Sequence, residues 1–198
     1  MSKVLVVYAA PTPIDKSHTA ALANRFLDYY TEKNPDANVK WLNLNKEEEI
    51  TNYVLNNNNS KEFYDASDKY IDQLKDIDHL IIATPMNNFN ISTLLKNYID
   101  HIAVAKKTFE YKYDGFRKSI GLLTNLKVQI LATQGAPVDW YPFSNFVKYL
   151  EGLFDFLGCT LSRSIVIDGT KTAKYKEKTL AEIVDEYNGE IKEKAYRF

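Results

Sequence analysis

Residues Ser17, His18 and Thr19 stand where a helix is predicted to begin, directly after a loop that contains two prolines. The first backbone N–H groups of a helix have no partner within the helix, and its dipole favours an anion at that end. Two hydroxyl groups add further hydrogen-bond donors. The segment could therefore bind a phosphate, although the same residues also suit an ordinary helix with a serine N-cap.

A second segment, residues 84–90, follows a strongly apolar run and reads Thr-Pro-Met-Asn-Asn-Phe-Asn. Its proline removes one backbone donor, and its two central asparagines tolerate positive φ and can present backbone amides outward. Its methionine and phenylalanine could lie against a flat ring. The candidate binding residues of this segment are Pro85, Met86, Asn87, Asn88 and Phe89.

A third segment comprises Thr133, Gln134, Gly135 and Ala136, and it follows another apolar run. The glycine lets a ligand approach the backbone closely. Together with residues 84–90, these residues suit a planar heteroaromatic ring, but they also suit two ordinary loops between strand and helix. The aromatic cluster at 140–143 could line a slot beside the third segment or could lie in the core.

The elements that must position these segments alternate between strand and helix patterns throughout the chain. Apolar runs predict five strands, at residues 4–8, 39–44, 79–83, 128–133 and 164–167. Helical spacing predicts helices at residues 17–34, around 70–74, and at 91–103, 146–157 and about 174–194. Residues 108–115 alternate and end in a turn signal, which predicts an irregular extended excursion.

We therefore predict a single domain over residues 1–198 with an α/β, flavodoxin-like fold. Its five-stranded parallel sheet would have the order 2-1-3-4-5, with helices on both faces. In that order, the carboxyl ends of strands 1, 3 and 4 meet at one edge of the sheet, where open α/β sheets bind their ligands. The three segments would then surround one ligand.

Composition and motif content argue against several classes of function. The formal net charge of −1 gives no electrostatic reason to bind nucleic acid or an anionic membrane, and no apolar stretch is long enough to span a bilayer. The single cysteine, Cys159, excludes a disulfide framework and is expected in the core. His18, His79 and His101 are too scattered to predict a metal site. No Walker or G-x-G-x-x-G motif supports ATP or Rossmann-type NAD binding, and without a signal peptide we expect a soluble, cytoplasmic protein.

Residues 85–100 read P-M-N-N-F-N-I-S-T-L-L-K-N-Y-I-D and closely resemble a signature of FMN-dependent NADH-azoreductases, which are also quinone reductases. That signature is P-M-Y-N-F-N-I-[PS]-x-x-L-K-N-[YW]-[FI]-D. Residues 17–19 stand in place of a Ser-x-Ser phosphate loop, and residues 108–111 stand in place of T-F-[RK]-Y. Residues 149–158 resemble the helix Y-L-x-x-x-[LF]-x-F-[LI]-G of the same family, so the resemblance extends over nearly the whole chain.

The resemblance implies a homodimer that binds one FMN per subunit, with the sites near the subunit interface. The implied phosphate contacts are Ser17, His18 and Thr19. The implied ring contacts are residues 85–89, with residues 133–136 on the third loop. The implied reaction is ping-pong, in which NADH reduces the flavin and leaves before a quinone or azo compound takes up two electrons. The flavin carries this chemistry, so we predict no catalytic acid, base or nucleophile on the protein.

Several residues depart from the family pattern. Ala9 and Ala10 replace a common Ser-Ser, and Asn87 stands where the family usually has tyrosine. Residues 134–136 replace Arg-Gly-Gly, which removes a cation, and Glu110 replaces a base. These departures bear mainly on the choice of acceptor and nucleotide.

Two other functions remain as alternatives. One is a flavodoxin-like electron carrier that has no NADH turnover of its own. The other is a phosphodiesterase, for which the sequence offers neither a metal-ligand cluster nor a nucleophile.

Overall fold

The computed structural model describes residues 1–112 and 119–198, and a parallel sheet lies at its centre. The strands are β1 (Lys3–Tyr8), β2 (Asn38–Asn43), β3 (His79–Pro85), β4 (Phe109–Tyr111), β5 (Ser119–Gly121), β6 (Lys127–Thr133), β7 (Thr160–Leu161) and β8 (Ile165–Ile167). The helices are α1 (His18–Lys33), α2 (Glu48–Thr51), α3 (Ser60–Lys75), α4 (Thr93–Ile102), α5 (Phe146–Phe156), α6 (Leu180–Asp185) and α7 (Asn188–Arg197).

Strand pairing confirms the flavodoxin-like arrangement for the first four sheet positions. β1 pairs in parallel with β2 and with β3, and β3 pairs in parallel with β6. The prediction of one fifth strand was wrong in detail, because two short strands, β7 and β8, share the edge beyond β6. Over the described residues the sheet therefore has six strands, and β4 and β5 form a separate antiparallel pair.

The side chain of Gln129 spans the gap between the two short edge strands. β7 pairs with the start of β6 and β8 pairs with its end, so the ladder is interrupted beside Gln129. The buried amide nitrogen of Gln129 donates to the carbonyl of Ile130 at 2.9 Å and to that of Arg163 at 3.1 Å. A side chain thus supplies hydrogen bonds where the backbone ladder is broken, because buried carbonyls need partners.

Successive residues of β1 pack on opposite faces of the sheet. Leu5 and Val7 join one apolar cluster, whereas Val6 and Tyr8 join the other. Burying each such side chain stabilises the fold by roughly 1.5–3 kcal/mol. Helices cover both faces, as predicted: α3, α4 and α5 pack on the first, and α1, α6 and α7 pack on the second.

The C-terminal region forms two helices where the sequence predicted one at 174–194. Thr179 begins α6 with a capping box, in which its hydroxyl accepts from the N–H of Glu182 and the Glu182 carboxylate accepts from the N–H of Thr179. α6 ends at Asp185, and α7 begins with Asn188 and Gly189, two residues that favour helix ends over helix interiors. The capping box therefore sets where α6 begins, and the break between α6 and α7 falls just before Asn188 and Gly189.

The predicted irregular excursion at 108–115 is partly regular. Residues 109–111 form β4, which pairs with β5 in antiparallel register. The predicted turn at Tyr113, Asp114 and Gly115 lies outside the described residues.

Cys159 lies in the core, as predicted, directly after the end of α5. Gly158 ends that helix with φ +92°, a conformation that a side chain would strain, and the N–H of Cys159 donates back to the carbonyl of Phe154 at 2.9 Å. Burial raises the pKa of the Cys159 thiol to about 12. The thiol is therefore protonated at neutral pH and unsuited to act as a nucleophile.

His101 is fully buried on α4 and stacks on Phe63 with a centroid distance of 3.8 Å. Its Nδ1 lies 3.1 Å from the Ser67 hydroxyl, and its Nε2 lies 3.4 Å from the carbonyl oxygen of Glu49. Burial lowers the pKa of His101, so the folded protein favours the neutral ring. This histidine is structural, because its neutral ring packs between α4 and the α3 residues Phe63 and Ser67.

We predict that acidification below about pH 6.5, the usual pKa of histidine, lowers the free energy of unfolding. The unfolded chain then binds a proton that folded His101 resists, so stability is complete above that pH and declines towards the lower folded pKa. Urea unfolding at pH 7.5 and 5.5 should show a larger loss for the native sequence than for His101→Phe. Burial also lowers the pKa of His18 and His79, and their contribution is common to both proteins. Equal losses in the two proteins would contradict the assignment to His101.

Candidate functional site

Two adjoining clefts lie where the carboxyl ends of β1, β3 and β6 meet. The first cleft has a volume of about 220 Å³ and the second about 380 Å³. Of the twelve residues predicted from the sequence, seven line only the first cleft: Ser17, His18, Thr19, Pro85, Asn87, Thr133 and Gln134. Three line only the second cleft: Asn88, Phe89 and Ala136. Met86 and Gly135 line both, so the structure brings the three predicted segments together.

Ser17 begins α1 as its N-cap. Its hydroxyl oxygen accepts from the N–H of Ala20 at 3.2 Å, and its carbonyl accepts from the N–H of Ala21 at 3.0 Å. The backbone N–H groups of His18 and Thr19 precede the first intrahelical hydrogen bond and are available to an acceptor in the cleft. The serine N-cap is confirmed, whereas phosphate binding by this segment stays a prediction, which suits the position of the helix end at the first cleft.

The Thr19 hydroxyl is engaged within the protein. It lies 2.6 Å from the hydroxyl of Thr133, and both side chains are buried. The carbonyl of Thr133 also accepts from the N–H of Met86 at 2.7 Å. Thr133 therefore ties the first and second loops to the third.

Ser92 fixes the second loop to the end of β1. Its hydroxyl donates to the carbonyl of Ala9 at 2.7 Å and accepts from the N–H of Leu95 at 3.2 Å, which caps α4. Ala9 and Ala10, which replace the serines common in the resembled family, are both buried, and Ala10 also lines the first cleft.

Residues 87–90 form a tight turn at the rim of the second cleft. The N–H of Asn87 donates to the carbonyl of Asn90 at 2.7 Å, and the reverse bond is 3.1 Å long. The central residues Asn88 and Phe89 have φ of 45° and 68°, the pattern of a type I′ turn. The prediction of positive φ at an asparagine is confirmed for Asn88, but the second such residue is Phe89, for which the conformation is strained.

The strained turn places the Phe89 ring in a cluster of surface aromatic side chains. Its centroid lies 5.0 Å from that of Tyr141 and 5.2 Å from that of Phe143. Trp140 and Phe143 are 63% and 73% exposed, so the aromatic segment does not lie in the core. Because Trp140 and Tyr141 line the second cleft, the segment borders a slot, which was the other interpretation of its sequence.

The third loop is held by the segment that follows β8. The carbonyl of Gln134 accepts from the N–H of Thr170 at 3.1 Å, and the carbonyl of Gly135 accepts from the N–H of Lys171 at 2.9 Å. The Gln134 side-chain amide donates to the carbonyl of Ala136 at 2.9 Å. A Cβ at Gly135 would lie 2.9 Å from Cδ of Lys171, so a larger residue here would displace the lysine side chain.

Sequence reasoning missed two cations of this site, Lys16 and Lys171. Lys16 lines the first cleft, and Lys171 lines both clefts. Neither forms an ion pair with a residue in the described part of the chain. The signal for Lys171 was present, since it follows the carboxyl end of a parallel strand, as the three predicted loops do.

His18 adds no positive charge to the first cleft near neutral pH. Burial lowers the pKa of its imidazole below the usual histidine value, so the ring is mainly neutral at pH 7. The positive character of the first cleft therefore comes from Lys16, Lys171 and the start of α1.

Residues 1–112 and 119–198 contain no group of three histidine, cysteine or acidic side chains arranged to hold a metal ion. The same ranges contain no helix long and apolar enough to cross a membrane.

Comparison with known proteins assigns the chain to a family. A family model described as flavodoxin-like fold matches residues 2–191. An FMN-dependent NADH:quinone oxidoreductase of Mycoplasmopsis pulmonis is 44% identical over 200 residues, with 100% of each chain covered. A protein of the same name from Mycoplasma mobile is also 44% identical, with 100% of this chain and 99% of the other covered.

A solved structure of similar fold supports this assignment. The crystal structure of azoreductase from Bacillus anthracis superposes with a TM-score of 0.81 and 28% identity, and it covers 100% of both chains. The chain therefore belongs to the flavodoxin-like family of FMN-dependent NADH:quinone oxidoreductases.

Proposed function

We propose that this protein is an FMN-dependent enzyme that oxidises NADH and reduces quinones, and that it also cleaves azo compounds reductively. The observation that carries the proposal is the junction of three loops at one sheet edge, where a helix N-terminus and an apolar cleft adjoin. Relatives at 44% identity over the whole chain carry the quinone oxidoreductase name, and a structural neighbour is an azoreductase.

The first cleft fits the phosphate end of FMN. The N–H groups of His18 and Thr19 can donate to phosphate oxygens, while the Ser17 side chain caps the helix and hydrogen-bonds to Tyr8. Lys16 supplies a cation at the same end. In this proposal Thr19 contributes its backbone, because its hydroxyl is bound to Thr133.

The second cleft and its border fit the ring of FMN and an acceptor beside it. Met86 and Gly135 line both clefts, which suits a ligand that extends from one to the other. Met86 offers an apolar surface, and Gly135 and Ala136 offer backbone at close approach. Phe89 and Trp140 would then enclose a flat acceptor and exclude water from it.

When bound, FMN supplies the two-electron chemistry that couples NADH oxidation to reduction of the acceptor. The protein's part is to hold the cofactor and align the partners in one slot. We assign no side chain as acid, base or nucleophile, since the flavin carries the chemistry and the Cys159 thiol is buried.

We further propose that the enzyme acts in the cytoplasm, where NADH is available, and on small-molecule acceptors rather than nucleic acid. The formal net charge of −1 supports the second point, because an anionic phosphate backbone is bound mainly by excess positive charge.

The function is tested first with the purified protein. We expect a yellow protein, or a colourless one that turns yellow with FMN, that oxidises NADH when menadione or an azo dye is present. The electron-carrier alternative predicts the same colour without steady-state NADH turnover. A protein that cannot be loaded with FMN would refute the proposal.

The phosphate assignment is tested by Ser17→Asp. Aspartate caps a helix about as well as serine, so the fold is kept, but its charge opposes a phosphate at the same place. We expect the Kd for FMN to rise about tenfold, or ~1.4 kcal/mol, in a fluorescence titration. Riboflavin, which has no phosphate, serves as the control and should bind both proteins alike. Equal weakening for both ligands would contradict the phosphate assignment.

We propose a homodimer whose interface includes the exposed aromatic residues beside the second cleft, because large apolar patches at a surface usually contact a partner. Sedimentation should give twice the 22.8 kDa chain mass. The variant Trp140→Lys with Phe143→Lys should shift the protein towards the monomer. Trp41→Lys, a change of a partly exposed tryptophan on the edge strand β2, is the matched control and should leave the mass unchanged. A native protein that sediments as a monomer would disprove the dimer.

A further inference from the structure

Lys171 is held at the junction of the two clefts. Its N–H donates to the carbonyl of Gly135 at 2.9 Å, and its side-chain stem lies over that glycine, with Cδ only 2.9 Å from the position a Cβ would take. The adjacent Thr170 donates to the carbonyl of Gln134 with both its N–H and its hydroxyl, each at 3.1 Å. Thr170 and Lys171 are thus both hydrogen-bonded to the third loop, and the aliphatic part of the lysine side chain packs against Gly135.

The charge of Lys171 is not used elsewhere in the described part of the molecule. Asp168, three residues earlier, accepts from the N–H of Val138 at 2.8 Å and forms no ion pair with the lysine. Gln134 carries no charge, and its amide is bound to the carbonyl of Ala136. Lys16, the other cation here, lines only the first cleft, whereas Lys171 also lines the second, into which the proposed ring would extend.

We propose that Lys171 tunes the reduction potential of the bound cofactor, an inference that depends on the proposed function. NADH delivers a hydride, which is two electrons and one proton, and leaves as NAD⁺. An uncharged oxidised ring thereby gains one negative charge unless it takes a second proton from solvent. A fixed ammonium at the junction of the clefts favours that charged form over the oxidised form and raises the potential.

The two lysines therefore have separate roles. Lys16 attracts the phosphate, whose charge is the same before and after reduction, so it strengthens binding of both forms. Lys171 acts on the charge that appears on reduction, so it strengthens binding of the reduced form more than that of the oxidised form. This difference separates a redox role from a purely structural one, because loss of loop structure would weaken both forms alike.

The test compares Lys171→Met, Lys171→Arg and Lys16→Met with the native protein. Methionine keeps an apolar stem over Gly135 without the charge, and arginine keeps the charge. The two-electron midpoint potential of bound FMN is measured by equilibration with a reference dye, and the Kd values of FMN and riboflavin are measured by titration. Neither measurement needs NADH turnover.

We expect Lys171→Met to lose about tenfold in preference for reduced over oxidised FMN, a fall of about 30 mV for a two-electron couple. Lys171→Arg should restore most of the native potential. Lys16→Met should weaken FMN but not riboflavin, without a comparable change in potential.

The inference would be overturned if the midpoint potential of FMN bound to Lys171→Met equalled that of the native protein. It would also be overturned if Lys171→Met bound FMN more weakly but riboflavin equally well. In the latter case the lysine would be a phosphate ligand. A native protein that binds no flavin would contradict the proposed function itself, and the inference would fall with it. A protein that binds flavin with an unshifted potential would contradict the inference alone.

Discussion

The parallel pairing of β3 with β6 is the constraint on which both clefts depend. Its register places Pro85 opposite Thr133, so that two loops leave the sheet at the same level. The carbonyl of Thr133 then accepts from Met86, and its hydroxyl meets that of Thr19 on α1. A shift of one residue in this register would separate the loops and would turn each strand's side chains to the opposite face. The geometry of the site is therefore set by the same hydrogen bonds that build the sheet.

The two clefts differ in the forces they can apply to a ligand. The first combines the start of α1 with Lys16 and therefore favours an anion. The second is bordered by aromatic rings, and the strained turn at Phe89 lies at its rim. A molecule that has a charged end and a flat end satisfies both environments at once. The physical division of the site thus matches the two parts of the cofactor named for the curated relatives.

Features that depend on neighbours in the sequence could be predicted, and features that depend on distant contacts could not. The Ser17 cap and the positive φ of Asn88 follow from the local chemistry of those residues, and both are confirmed. The last position of the sheet holds two short strands with Gln129 of β6 bonded in the gap beside them, an arrangement that no local pattern indicates. The position of Lys171 after a strand could be seen in the sequence, but its contact with Gly135 arises only when the segment after β8 folds onto the third loop.

The departures from the resembled family can now be placed. Position 134 carries an uncharged glutamine in place of the family's arginine. Its side-chain amide donates to the carbonyl of Ala136 in the same loop. Asn87 contributes its backbone to the turn and leaves the rim without the ring that a tyrosine would bring. Glu110 lies exposed in β4. Ala10, Asn87 and Gln134 line the first cleft, and Ala136 lines the second, so the departures touch both clefts and the expectation that they bear mainly on acceptor and nucleotide choice stays a prediction.

The interrupted edge beyond β6 also bears on edge-to-edge aggregation of newly made chains. An open sheet edge is a template on which another chain can add a strand, and long, regular edges are the most hazardous. Here that edge consists of strands of two and three residues, with Gln129 bonded across the gap between them. An incoming strand would find no continuous row of free N–H and C=O groups on which to align. Two short strands in place of one long one therefore make this edge of the sheet a poorer template for pairing with another chain.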